Sequence, residues 1–203
     1  MQPILYAITP ENLSEAILFQ KVESTLKAGC HWIQYRDKSS DVARRQREAR
    51  ALLTLCHDYN AKLIVNDDLG LALHIGADGL HMGQGDGNHK AARQALPETA
   101  IFGITCHDSL TLAEQARADG ATYLAFGRFF PSTTKPNAKH APLSLLQEAR
   151  TAFPQVPIVA IGGIDAARSK TLLQSGADII AVSESIFGQE DCFKATQEFL
   201  TYF

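Results

Sequence analysis

Short runs of β-branched and apolar residues alternate with longer amphipathic stretches along the whole chain. Eight such runs stand out, at 4–9, 32–36, 62–66, 79–82, 101–105, 123–127, 157–162 and 179–183. Each is nearly continuous in apolar character rather than alternating, which is the pattern of strands buried on both faces. The stretches between them place apolar residues on one side of a helix. Over 14–28, Ile17, Leu18, Val22, Thr25 and Leu26 fall mainly on one face. Over 41–59, Val42, Ala49, Leu52, Leu53 and Leu55 do the same, with basic residues opposite, and 110–118 and 143–152 continue the pattern. The phrases AGCHWIQYR, IGADGLHMG, DGATYLAFG and SGADIIAVS recur, each with a glycine placed to reverse the chain from a helix end into the next strand. The expected fold is a single α/β domain over residues 1–203, a (β/α)8 TIM barrel, with an open doubly wound sheet as the alternative.

Composition narrows the function. With 203 residues, 45% of them hydrophobic, the chain can bury one sizeable core. A net charge of −3 provides no global basic field, so no nucleic-acid or anionic-membrane partner is expected and any anion site must be built locally. The N-terminal MQPILYAITPEN lacks the pattern of a signal peptide, and no apolar run reaches membrane-spanning length, so a cytoplasmic enzyme is expected. Cys30, Cys56, Cys106 and Cys192 are scattered without metal-ligand spacing and read as reduced core thiols.

Barrel chemistry sits at the C-terminal strand ends. The second run ends in Gln34-Tyr35-Arg36-Asp37-Lys38, where strand alternation puts Gln34, Arg36 and Lys38 on one face. The third ends in Asn66-Asp67-Asp68. The fourth is followed by Gly83-Gln84-Gly85-Asp86-Gly87. Asp67 and Asp86 are hard oxygen ligands suited to Mg²⁺, which takes one or two carboxylates together with waters and phosphate oxygens; Asp68 is the better candidate for a helix cap. The fifth run ends in Thr105-Cys106-His107, and His107 fits a cap, a packed residue or an acid–base group. After the sixth come Ser132, Thr133, Thr134 and Lys135, three hydroxyls and a cation suited to an oxyanion. Gly162-Gly163 follows the seventh, where barrels often bind phosphate through backbone N–H groups. Together these residues indicate two phosphorylated small-molecule substrates, Mg²⁺ and departure of diphosphate.

The motifs LYAIT, QYRDKS, IVNDD, ADGLHMGQGD, GITCH, AFGRFFPSTTKP, VAIGGI and GADIIAV, in this order and over essentially the whole chain, resemble those of the thiamin-phosphate synthase family. The resemblance implies a TIM barrel that joins 4-amino-5-hydroxymethyl-2-methylpyrimidine diphosphate to 4-methyl-5-(2-hydroxyethyl)thiazole phosphate, releasing diphosphate by dissociative substitution. It implies that Gln34 contacts the pyrimidine or its diphosphate, that Arg36, Lys38, Asn66 and Lys135 hold the diphosphate, and that Asp67 and Asp86 bind Mg²⁺. It places Thr105 near the pyrimidine, Ser132 and Thr134 at the thiazole phosphate or diphosphate, and the Gly163 backbone at the thiazole phosphate. Arg36, Thr105 and Lys135 are the residues it makes catalytic. Two positions depart from the family pattern: Ser132 stands for a threonine, and Glu184 stands for a serine near the presumed phosphate, where a carboxylate repels unless it points away. A thiazole tautomerase using His107 and a non-catalytic phosphate-ligand sensor are the competing readings. Assembly is left open, with a homodimer as one form to test.

Overall fold

The computed structural model describes residues 2–11, 13–131 and 140–203. Its eight parallel strands are β1 (Ile4–Ile8), β2 (Trp32–Tyr35), β3 (Lys62–Asn66), β4 (Gly79–Met82), β5 (Ile101–His107), β6 (Tyr123–Phe126), β7 (Ile158–Ile161) and β8 (Ile179–Val182). They pair in chain order, and β1 closes onto β8 with Ile4 beside Ile179 and Leu5 beside Ile180. The helices are α1 (Glu15–Lys27), α2 (Val42–Asp58), α3 (Leu69–Ile75), α4 (His89–Ala95), α5 (Leu110–Ala118), α6 (Ser144–Ala152), α7 (Ala166–Gln174), α8 (Glu184–Phe187) and α9 (Cys192–Leu200). The closed barrel sets aside the open sheet. Among the described residues no helix is long and apolar enough to cross a membrane.

Burial splits along the strands as the pleat requires. One set of strand side chains, Leu5, Ala7, Ile33, Leu63, Val65, Leu80 and their equivalents, packs outward with the helices. The alternate set, including Tyr6, Ile8, Ile64, Tyr123, Ala125, Val159, Ile179 and Ala181, packs in the barrel interior. The two helices whose faces were read in detail depart from expectation, α1 at Ile17 and α2 at Val42, Leu53 and Leu55, the last two being only partly buried. On α1 the buried residues are Leu18, Val22, Thr25 and Leu26, whereas Ile17 is exposed. On α2 the buried stripe is Glu48, Ala49, Leu52 and Cys56, and Val42 is exposed. Glu48 is tolerated inside because Tyr35 donates its hydroxyl hydrogen to it at 2.7 Å.

The recurrent glycine phrases have a common use. Gly29, Gly76, Gly120 and Gly176 all have positive φ, the conformation that lets a helix end turn back toward a strand. Two residues on from three of them stands a polar side chain that ties adjacent strands at the bottom of the barrel. Asp78 accepts the Leu63 N–H at 2.9 Å, Thr122 accepts that of Phe102 at 2.8 Å, and Asp178 accepts that of Ile158 at 2.8 Å. Asp78 also holds Lys62 and His57, each at 2.9 Å. Burial pushes its carboxyl upward, but Leu63, Lys62 and His57 outweigh this and hold it below the ordinary aspartate value. Its stabilisation is therefore complete above the unfolded aspartate pKa of about 3.9 and is lost as pH falls through the lowered folded value. Asp78→Ala is expected to cost about 2–3 kcal/mol of stability at neutral pH, since hydrogen bonds to a charged group are removed and a buried N–H is stranded. Urea unfolding of the two proteins at pH 7 and again near pH 3 checks this, and the gap between them should shrink in acid.

Candidate active site

The polar strand ends converge on one mouth of the barrel. Gln34 is 2% exposed and lies on the interior side of β2. Arg36 begins the following loop, one residue beyond the end of β2, where it had been expected to close the strand. Its backbone N–H donates to the Thr9 hydroxyl at 3.0 Å, and its guanidinium pairs with Glu11. Lys38 reaches Asp67 at 2.9 Å. The alternate residues turn the other way: Tyr35 bonds Glu48, while Asp37 pairs with Arg44 and accepts the Ser39 N–H at 2.7 Å. Burial pushes the Asp37 carboxyl upward, but Ser39 and Arg44 overcome this and hold it below its ordinary value. This cluster fastens the loop carrying Arg36 and Lys38 to α2.

At the end of β3 two adjacent aspartates separate in role. Asp68 caps α3 by accepting the Leu71 N–H at 2.8 Å and pairs with Arg45 at 2.5 Å. Asp67 has φ of +62°, a conformation seldom taken by a residue with a side chain, and its N–H is tied to the His81 carbonyl at 2.7 Å. Burial pushes its carboxyl upward, but the Lys38 ammonium, contact with Asp86 and the Asn66 side chain outweigh this and keep it below the ordinary range. Asp86, in the exposed loop after β4, accepts the Gly83 N–H at 2.9 Å. The close approach also explains Gly83, since a methyl there would lie 2.6 Å from the Asp86 carboxylate. Among the described residues no group of three or more His, Cys, Asp or Glu side chains forms a metal cage. Two neighbouring carboxylates are nonetheless the hard oxygen donors that Mg²⁺ takes together with waters and phosphate oxygens, and two anions brought together at a half-buried mouth favour a bound cation.

β5 runs two residues further than expected, through His107, with a register irregularity between Thr105 and His107. Thr105 faces inward and meets His81 Nε2 at 2.9 Å. His107 has φ of +51° and an exposed side chain. The thiol of Cys106, next to it, is buried and pushed up to about 12 by desolvation, which leaves it unsuited to nucleophilic attack; Cys30, Cys56 and Cys192 are also buried and free.

Ser132, Thr134 and Lys135 lie outside the described residues. Gly163 has φ of +63°, and a methyl on it would overlap the Pro131 carbonyl; Gly162, also at positive φ, would overlap Arg128. These two glycines also make room for the backbone after β6, which crosses directly over them. The Glu184 carboxylate folds back along α8 until it touches the space beside Gly188, away from the helix's N-terminal end. Ser185 donates to the Ile164 carbonyl at 2.6 Å, joining the last two loops.

Sequence reasoning missed the floor of the site. Tyr6, Trp32, Tyr123 and His81 form an aromatic cluster, with His81 stacked on Tyr123 at 5.6 Å between centroids and Tyr6 edge-on to Trp32 at 5.5 Å. Gln34 Nε2 donates to the Tyr6 hydroxyl at 2.7 Å, the Tyr6 and Tyr123 hydroxyls lie 3.1 Å apart, and Tyr123 meets His81 Nδ1 at 2.8 Å. Desolvation pushes both phenols well above their ordinary value, so they stay neutral. Counting inward positions back from each strand end would have found His81 and Tyr123.

A family model described as thiamine monophosphate synthase matches residues 5–186. The thiamine-phosphate synthase of Saccharophagus degradans is 52% identical over 189 residues, spanning 92% of this chain and 87% of that protein. The thiamine-phosphate synthase of Thioalkalivibrio sulfidiphilus is 47% identical, spanning 92% of this chain and 89% of that protein. Among solved structures, thiamine phosphate pyrophosphorylase from Pyrococcus furiosus superposes with a TM-score of 0.88 at 31% identity, covering 98% of this chain and 94% of that one.

Proposed function

This chain belongs to the thiamine monophosphate synthase family, and on that premise we propose the part each strand end takes in the reaction. The protein is a transferase that forms thiamin phosphate. In the proposed reaction the C–O bond between the pyrimidine methylene and diphosphate breaks, and its electron pair leaves with diphosphate. The aminopyrimidine ring shares the positive charge left on the methylene, and the thiazole nitrogen lone pair then forms the new C–N bond.

Arg36, Lys38 and Asn66 would bind the diphosphate and stabilise the charge it gains on departure. Lys135 would join them, with Ser132 and Thr134 toward the phosphate groups; those three roles rest on the family resemblance alone. Gln34 and Thr105 would orient the pyrimidine, and the Gly163 backbone would meet the thiazole phosphate. Glu184, folded back on α8, would not oppose that phosphate. Asp67 and Asp86 would hold Mg²⁺, which when bound supplies charge to offset that of the diphosphate. A strong general base has no task in this scheme; alignment and leaving-group electrostatics carry it. The observation supporting these assignments is the Lys38–Asp67 pair with Asp86 at hand, set at the same mouth as Gln34 and Thr105. A cytoplasmic location and a homodimer belong to the same proposal, to be tested by fractionation and by light scattering.

The decisive assay is diphosphate release from both substrates with and without Mg²⁺, followed by detection of thiamin phosphate. Release that requires Mg²⁺ and matches thiamin phosphate mole for mole supports the scheme. Undiminished synthesis in the presence of a chelator would remove the metal from it. Isomerisation of a thiazole phosphate without diphosphate release would favour the tautomerase reading through His107. The metal-suited carboxylates have no use in that reaction, and membership of a synthase family sets the non-catalytic sensor aside.

A further inference from the structure

We infer that Tyr6, Tyr123 and His81 form a neutral hydrogen-bond relay across the barrel floor that sets Thr105 as a hydrogen-bond donor to the pyrimidine, with His81 a positioning residue. The inference rests on the synthase reading and deepens it.

The relay draws one residue from each of five strands: Gln34 from β2, Tyr6 from β1, Tyr123 from β6, His81 from β4 and Thr105 from β5. Its sense follows from counting hydrogens. A hydroxyl donates one hydrogen. Tyr6 accepts from Gln34 Nε2 at 2.7 Å, and the Tyr123 oxygen at 3.1 Å is the remaining contact able to take its own hydrogen, so the sense that strands no buried O–H runs from Tyr6 to Tyr123. Tyr123 then donates to His81 Nδ1 at 2.8 Å, which requires that nitrogen to be bare. The ring proton therefore sits on Nε2 and is donated to Thr105 Oγ1 at 2.9 Å. Thr105 is left with one hydroxyl hydrogen to offer to the site. At the other end, Gln34 gives one Nε2 hydrogen to Tyr6 and keeps its amide oxygen as an acceptor.

The two ends thus include an acceptor at Gln34 and a donor at Thr105. An aminopyrimidine presents the complement, an amine that donates and a ring nitrogen that accepts. The aromatic packing of Tyr6, Trp32, Tyr123 and His81 holds the hydroxyls at these separations. Burial keeps both phenols protonated, so the relay carries direction without charge.

A double-mutant cycle tests this. Tyr123→Phe keeps the ring and removes the hydroxyl, and Thr105→Val removes the end of the relay. Tyr123→Phe is expected to lower kcat/KM for the pyrimidine diphosphate about fivefold to tenfold while leaving KM for the thiazole phosphate unchanged. In the Thr105→Val background it should change the same ratio by less than about twofold, because the relay then ends on nothing. Losses that multiply across the two backgrounds, or that fall on the thiazole phosphate, would overturn the inference. So would nitrogen NMR of His81 showing the Nδ1-protonated tautomer. If Tyr123→Phe does not fold, Tyr6→Phe serves in the same cycle. Calorimetric binding of the pyrimidine diphosphate by the same proteins separates this inference from the reading beneath it. Coupling in binding with no synthesis by the wild type would sink the synthase assignment and keep the relay, whereas synthesis without coupling would do the reverse.

Discussion

Asp67→Ala is expected to lower thiamin phosphate formation by about a hundredfold at saturating Mg²⁺. Two losses combine. One of the two carboxylates able to hold the cation disappears, and Lys38 loses the partner that fixes its ammonium at 2.9 Å. Each lost charge-assisted contact costs about 1.5–3 kcal/mol, which is tenfold to above a hundredfold in rate. The Mg²⁺ concentration needed for half-maximal rate should rise as well. The adjacent aspartate supplies the control. Asp68 caps α3 and pairs with Arg45, so Asp68→Ala should cost about 1 kcal/mol of stability and spare the rate. Initial-rate assays across a Mg²⁺ series, together with thermal melts, distinguish the two. A wild-type rate for Asp67→Ala would remove it from the metal site.

Gly103→Ala is expected to destabilise the fold by about 3 kcal/mol or more and to abolish synthesis with it. Gly103 lies on the interior side of β5 beside Tyr123, and a methyl there would overlap the Tyr123 ring at its hydroxyl-bearing end. The surrounding atoms belong to strands on every side, so the ring has little room to give way, and overpacking of this kind is costly. Should the ring move instead, the Tyr6–Tyr123–His81 bonds must break with it. Denaturant unfolding of the purified variant measures the first effect. Wild-type stability and activity would mean that the floor is softer than its packing indicates.

These expectations differ in how far the sequence could reach them. The eight strands were legible because strands buried on both faces must be apolar throughout, and the glycines after the helices were legible because few other residues take positive φ readily. The separation of Gln34 from Tyr35 followed from strand alternation, whereas Arg36, Asp37 and Lys38 lie in the loop beyond β2 and are held by their own contacts. Asp68 as a cap was also open to local reasoning, since its partner is Leu71, three residues away.

What only the tertiary structure decided are the meetings across the barrel. Glu48 is a carboxylate that local sequence gives no reason to bury, yet it is buried where the Tyr35 hydroxyl of β2 meets it. Glu11 carries no signal until the β1 loop comes beside Arg36. Tyr6 and Tyr123 stand 117 residues apart in the chain, and their hydroxyls meet only because the sheet closes on itself. Periodicity states which face a side chain takes. Which inward side chains meet across the lumen depends on strand register and closure, and these are settled by the whole barrel packing at once.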